Sequence, residues 1–357
     1  MRAVVHIGMG KTGTSTIQTH LVQNQAGLAR QRVLHGRYNR HKIPASVELP
    51  MIALNRMGAI QRLDALLAEW MFGVNPDWSA VAAEARRMEA LVRADAGRVG
   101  FDRQIFSAEH ISAGLRDAAQ IAALHGFLTE LYDDVRYVVY FRSQEDSAAS
   151  WYSEALRAGL TMDFDAHVRR RGKFDIAAFL RNWSDVVGQE RMCVRLFDRK
   201  AMVANDLLAD FADAAGYALD GLDPIASINE SLSLECAELI RALDTRLATL
   251  DLPKAVARPL RQNAVAAINR AGGSGDKVRL TADQIVWVRK VNAASNEDVR
   301  QTYFPDRPTL FPERPIESIA RAPGLPGTMP ITDAAKVVVN LLQVIRKLET
   351  ENRQAAR

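Results

Sequence analysis

Cysteine is nearly absent from this chain. The 357 residues hold two, Cys193 and Cys236, in no CxxC or Cys/His pattern, so neither a disulfide framework nor a thiolate metal cluster is expected. Buried thiols in a reducing compartment fit them. No run of 18 or more apolar residues occurs, and so no transmembrane helix is expected. Charge of one sign is lacking too: 46 Lys and Arg against 42 Asp and Glu leave a net +4. That surplus suits an anionic ligand and falls far short of a nucleic-acid-binding surface, so no nucleic acid partner is expected. The first apolar run, residues 3–7, reads as a strand rather than a leader, and a cytoplasmic location is expected.

What is present is ordinary for a globular protein, with 48% hydrophobic and 25% charged residues. The length allows one large domain or two smaller ones with a sizeable core. Four apolar runs, at 3–7, 99–106, 135–141 and 192–197, are separated by helical stretches such as 16–25, 51–93 and 118–131. That alternation predicts an α/β fold, a parallel sheet flanked by helices with right-handed crossovers. Ligands of such sheets lie at the carboxyl ends of the strands. Three of the four ends carry Lys11, Glu109 with His110, and Arg142.

The organisation expected is one α/β domain over 1–315, in which a helical insert at 51–98 caps the acceptor side. Residues 316–357 are expected to form a proline-rich linker and an amphipathic C-terminal helix. Val337, Val338, Leu341, Leu342, Ile345 and Leu348 in that tail recur at helical spacing. The helix is expected to pack on the body or to join a second copy in a homo-oligomer. The basic runs Arg37, Arg40, His41, Lys42 and Arg169, Arg170, Arg171, Lys173 read first as solvated surface.

After the first strand comes Gly8-Met9-Gly10-Lys11-Thr12-Gly13-Thr14-Ser15, then Thr16. A glycine-rich turn into a helix N-terminus presents backbone N–H groups to a phosphate-type anion. The hydroxyls of Thr12, Thr14, Ser15 and Thr16 are candidate further donors, and Lys11 supplies a point charge. The spacing is not GxxxxGK[ST]: Val5 stands where the first glycine would be, and Lys11 precedes the last glycine. At the third strand end, Arg142 and Ser150 of the following helix are placed to grip one phosphate from two sides. Glu109 and His110 are both candidate general bases for a hydroxyl acceptor.

The order Lys-Thr-Gly-Thr-Ser at 11–15 resembles the 5′-phosphosulfate loop of sulfotransferases that use 3′-phosphoadenosine 5′-phosphosulfate (PAPS). Arg142 and Ser150 match, in order and spacing, the pair that binds the 3′-phosphate in that family. Phe106-Ser107-Ala108-Glu109-His110 is similar to its Ser-Ser-Glu-His segment, where either a glutamate or a histidine serves as base. Arg195-Leu196-Phe197-Asp198 looks like the stretch whose aromatic residue packs on adenine, here Phe197. Asn229-Glu230-Ser231-Leu232-Ser233, and Asn296 with Tyr303-Phe304, resemble recurring segments of the bacterial enzymes. Two features depart: Thr16-Ile17-Gln18 stands where the animal enzymes have a tryptophan, and their C-terminal Arg-Lys-Gly clamp has no match.

The resemblance implies a sulfotransferase fold, a P-loop-NTPase-like parallel sheet, with PAPS as co-substrate and 3′-phosphoadenosine 5′-phosphate (PAP) as product. It implies no metal requirement. Gly8, Gly10, Lys11, Thr12, Gly13, Thr14, Ser15 and Thr16 would hold the phosphosulfate, and the acceptor would be a hydroxyl of a glycan, a lipid or a small alcohol. The rival readings are a P-loop kinase or NTPase dependent on Mg²⁺, and a catalytically silent nucleotide-binding module.

Overall fold

Five strands form one parallel sheet in the order β2-β3-β1-β4-β5: β1 Arg2–Ile7, β2 Val33–Leu34, β3 Arg103–Ala108, β4 Asp134–Phe141 and β5 Met192–Leu196. The structure is a computed structural model that describes residues 1–41, 43–159, 162–225, 232–249, 253–271 and 277–320. The fold class is the expected one, α/β with a parallel sheet flanked by helices. Residues Ala3 to Ile7 are buried without interruption, as a central parallel strand must be when helices cover both faces. Val4, Ile105, Val138 and Tyr140 point to one face with Ile17, Leu21 and Phe211 packed on them. Tyr137, on the other face, packs against Trp183 with ring centroids 5.4 Å apart.

Two details of the sheet differ from the sequence pattern. The run expected at 99–106 becomes a strand only at Arg103, because Gly100 takes φ 97 and Val99 is 98% exposed. The two-residue β2 carries no periodic signal of its own and exists by pairing with β3 at Val33–Arg103 and Leu34–Gln104.

The chain divides into two compact units, Met1–Ser143 with Asp175–Ile228 and Ser295–Phe311, and Gln144–Phe174 with Asn229–Ala294 and Pro312–Arg357. The first holds the whole sheet. It also holds the helices of the 51–98 region, which run Glu48–Arg56, Ala65–Phe72 and Trp78–Ala96. The second unit is helical in its described part, with a core of Tyr152, Leu156, Cys236, Ile240, Val265 and Ile268. There Arg261 binds both oxygens of Asp244 at 2.6 and 2.8 Å. Glu145 accepts from Arg289 and Arg314 at 2.9 and 2.8 Å.

Arg169, Arg170 and Arg171 are exposed, and Arg169 pairs with Asp165 at 2.9 Å, the i,i+4 geometry of a helix surface. Arg40 is exposed and pairs with Glu84, while Lys42 lies outside the described residues. The proposed C-terminal helix and most of the 316–357 tail also lie outside them, as do Asn229, Glu230 and Ser231. No helix among the described residues is long and apolar enough to cross a membrane.

Three buried titratable groups of the first unit make folding pH-dependent. Glu48 is 1% exposed, its Oε1 has no partner, and burial pushes its carboxyl up to about 8. Burial pushes His6 down to about 3 and His35 to about 4. From pH 4.5 to about 8 the unfolded chain has released the Glu48 proton while the folded chain keeps it, so rising pH favours unfolding. The histidines act oppositely below pH 6.5, where only the unfolded chain binds their protons. Glu48→Gln is therefore expected to gain melting temperature on the parent steadily from pH 5 to 8, with the difference constant above. A difference independent of pH in calorimetric scans would show that Glu48 is ionised in the folded protein.

Candidate functional site

The carboxyl edge of the sheet gathers the loops in question, because the strands are parallel and nearly in register. Ile7 pairs with Ala108 on one side and Val139 on the other, and Phe141 pairs with Leu196. The residues that follow β1, β3, β4 and β5 thus emerge at one edge. Strand β1 lies between β3 and β4, where the strand order changes direction, the position at which α/β sheets bind ligands.

The loop after β1 is built by backbone proximity. Gly8 N–H donates to Ala108 O at 3.0 Å. A Cβ on Gly8 would stand 2.6 Å from Thr14 Cγ2 and 2.8 Å from Glu109 N, so no side chain fits there. Ser112 Oγ donates to Gly8 O at 2.5 Å and to Glu109 O at 2.9 Å, which fastens the loop to the helix Glu109–Gly114. Lys11 takes φ 68 and Gly13 takes φ 79 as the residue before the helix Thr14–Gln23. A lysine in the left-handed region costs of order 1 kcal/mol. Such strain persists only where the surrounding structure imposes it, and it concentrates at functional sites.

Thr12 and Thr14 take a different part from the one their hydroxyls indicate in sequence. Both are buried, and both donate to Met9 O, at 2.7 and 3.0 Å. They cross-brace the turn from inside, while Ser15 is exposed and Thr16 half-buried at the helix start. The loop therefore offers an anion a glycine-lined backbone turn, Lys11, and the hydroxyls of Ser15 and Thr16.

Arg142 and Phe197 join this loop from the other side. Phe197 N–H donates to Phe141 O at 2.7 Å, which extends the β4–β5 pairing past the strands. The Phe197 ring lies against Gly13, where a Cβ would come within 3.0 Å of its Cε2 and 2.3 Å of Leu207 Cδ2. The Arg142 guanidinium sits 5.6 Å from the centre of the same ring, within cation–π range. Arg142, Phe197 and Gly13 thus form one contiguous stack at the sheet edge. Ser150 lies half-buried on the helix Gln144–Arg157 of the second unit, eight residues after Arg142 in the chain.

Glu109 and His110 open the helix that Gly8 touches, and both are half-buried. His110 Nδ1 is buried with no hydrogen-bond partner. Burial holds its imidazole below the ordinary 6.5, while the charge of Asp64 pulls the other way. Asp64, Ser112 and Leu207 carry no motif that marks them in the sequence; each reaches the site through a contact distant in the chain. Among the described residues no group of three or more His, Cys, Asp and Glu is arranged to hold a metal ion.

Gly13→Ala is expected to cost about 1–3 kcal/mol, combining left-handed strain with the clash on Leu207 and Phe197. Gly58→Ala is the control: Gly58 has φ 67 with nothing within 4 Å of an added Cβ, so it loses the backbone part alone, about 1 kcal/mol. Urea unfolding of the two variants separates the terms, and equal losses would mean that Phe197 and Leu207 do not close over Gly13.

No family model matches the chain, and no curated protein matches it. Among solved structures, a sulfotransferase from Alicyclobacillus acidocaldarius aligns with 71% of this chain and 98% of its own, at 17% identity and a TM-score of 0.38. A likeness at this identity and score carries no information about activity.

Proposed function

We propose that the protein is a sulfotransferase that moves the sulfuryl group of PAPS to an acceptor hydroxyl. The observation that carries this reading is the meeting, at one sheet edge, of the Lys11 loop, the Arg142–Phe197–Gly13 stack and the Glu109–His110 helix start. A donor with two separated anionic groups and an aromatic base needs two cationic sites and an aromatic surface. The loop and Arg142 are the two cationic sites, and Phe197 is the surface.

In this reading the backbone turn at 8–13 holds the phosphosulfate, with Lys11 on the oxygen that bridges phosphorus and sulfur. Arg142 holds the 3′-phosphate. The acceptor oxygen attacks sulfur as the bond from sulfur to the bridging oxygen breaks. The electron pair of that bond stays on the phosphate of PAP, where Lys11 neutralises it. The acceptor proton passes to His110, whose neutral form burial favours and whose cationic form Asp64 would stabilise. Glu109 is the competing carboxylate at the same helix start. Catalysis rests on alignment and charge neutralisation, as in phosphoryl transfer.

Lys11→Met is expected to lower transfer by at least about 10²–10³-fold while PAP still raises the melting temperature. Full turnover of labelled sulfate by this variant would end the reading. PAP, but not AMP, is expected to shift the melting temperature, since only PAP engages Arg142. Strict Mg²⁺ dependence with ATP would instead mark a kinase.

The base is tested by pH. Protonated imidazole cannot accept a proton, so kcat/KM is expected to fall with unit slope on the acid side, with a midpoint below 6.5. His110→Asn should abolish that limb along with most of the rate. A limb that survives in His110→Asn and vanishes in Glu109→Gln would assign the proton to Glu109.

A further inference from the structure

The helix Ala65–Phe72 inverts the usual arrangement of a surface helix. Its inner face, Leu67, Ala68 and Met71, is buried as expected. Its outer face carries Leu66 and Trp70, one turn apart and 77% and 54% exposed, followed by Val74 at 72%. Outward positions normally hold charged residues, yet Glu69 is the one charged residue of this helix. Trp70 is also braced: His41 donates through Nε2 to Met71 O at 3.0 Å, and its ring lies 5.0 Å from the Trp70 ring. Leu66 and Trp70, one turn apart on the same face, thus make an exposed apolar strip instead of scattered single residues.

The helix starts within electrostatic reach of the candidate base. Asp64 caps it by accepting from Leu67 N–H at 3.0 Å, and the Asp64 charge acts on His110. Two residues earlier, Arg62 binds Asp117 at 2.7 Å, which pins this stretch to the segment that follows the helix Glu109–Gly114. The N-terminal end of the outer face is therefore the end nearer the Glu109–Gly114 segment, and an acceptor lying along the face would direct that end toward His110. Asp64 and Glu69 disfavour an anionic body there, and the exposed Leu66, Trp70 and Val74 offer a hydrocarbon body apolar surface to cover.

We propose that the outer face of the helix Ala65–Phe72 is the acceptor-binding wall, and that the acceptor is an uncharged alcohol with an alkyl or aryl body. The body packs on Leu66 and Trp70, and the hydroxyl reaches His110. This rests on the sulfotransferase reading for the chemistry at the hydroxyl, but binding of the body does not. Eight residues at 1.5 Å each give a face about 12 Å long, so the benefit of a longer chain ends once it outruns the helix.

The test uses the full chain, PAPS and straight-chain primary alcohols from ethanol to decanol. The parent is expected to gain about two- to fourfold in kcat/KM for each added methylene before levelling off. In Leu66→Ser/Trp70→Ser that slope should flatten, with the PAP-induced melting shift retained as proof of an intact donor site. Calorimetric titration of the PAP complex with decanol should show binding in the parent and none in the variant. A steep slope that survives in the variant overturns the proposal, as does equal decanol binding by both proteins. Decanol binding lost in the variant, with no transfer to any alcohol by the parent, upholds the wall and overturns the sulfotransferase reading instead. A parent dimer that dissociates in the variant, with the slope unchanged, assigns the face to a second copy and overturns the acceptor wall.

Discussion

At the end of β1 the chain comes so close to the start of the Glu109–Gly114 helix that no side chain fits between them. Gly8 hydrogen-bonds to Ala108 O and faces Glu109 N at a separation a Cβ would violate. The rest of the candidate site depends on that approach. It sets the loop beside Glu109 and His110, and within that loop Lys11 takes the left-handed region and Gly13 lies against Phe197. The strain at Lys11 is small against the packing and hydrogen bonds that impose it: two threonine hydroxyls on one carbonyl, a serine on Gly8 O, and a glycine filled by a phenyl ring.

Polar groups in this unit divide into those the fold satisfies and those it leaves open. Asp210 is buried but accepts from Tyr140 Oη, Arg195 and Val203 N–H, the full partnering a buried carboxylate needs. Glu48 and His6 lack such partners on one atom each, and burial favours their uncharged forms. His110 shares that condition at Nδ1, but it lies half-buried at the sheet edge rather than under the strands. An imidazole that stays neutral near an exposed edge is suited to accept a proton; the same imidazole in the core, as at His6, only resists acid.

The helical region between β2 and β3 joins packing to specificity in this reading. Its inner residues complete the core beside the sheet, and its outer residues bear on the acceptor. The cap of one of its helices, Asp64, is also a charge that acts on His110. In the proposed reading, donor and acceptor would be held by different chain segments around one sheet edge.

Much of this was legible in the sequence because it is local. A buried strand followed by glycines, a lysine and hydroxyls defines strand, turn and helix from nearest-neighbour preferences alone, and the polar residues at the strand ends follow from the same grammar. The parallel α/β class follows from the alternation of apolar runs and helices. Other features had no local signal. Strand β2 has two residues and exists only through β3. Val99 looks like strand until Gly100 turns the backbone. Thr12 and Thr14 read as anion donors until the loop closes and Met9 O takes both hydroxyls, and Asp64 acquires its relation to His110 only when the 45 intervening residues fold. The sequence by itself determined which residue types stand at the strand ends. The tertiary structure decided which way their polar atoms face, because direction depends on what packs behind each group, and those neighbours come from distant parts of the chain.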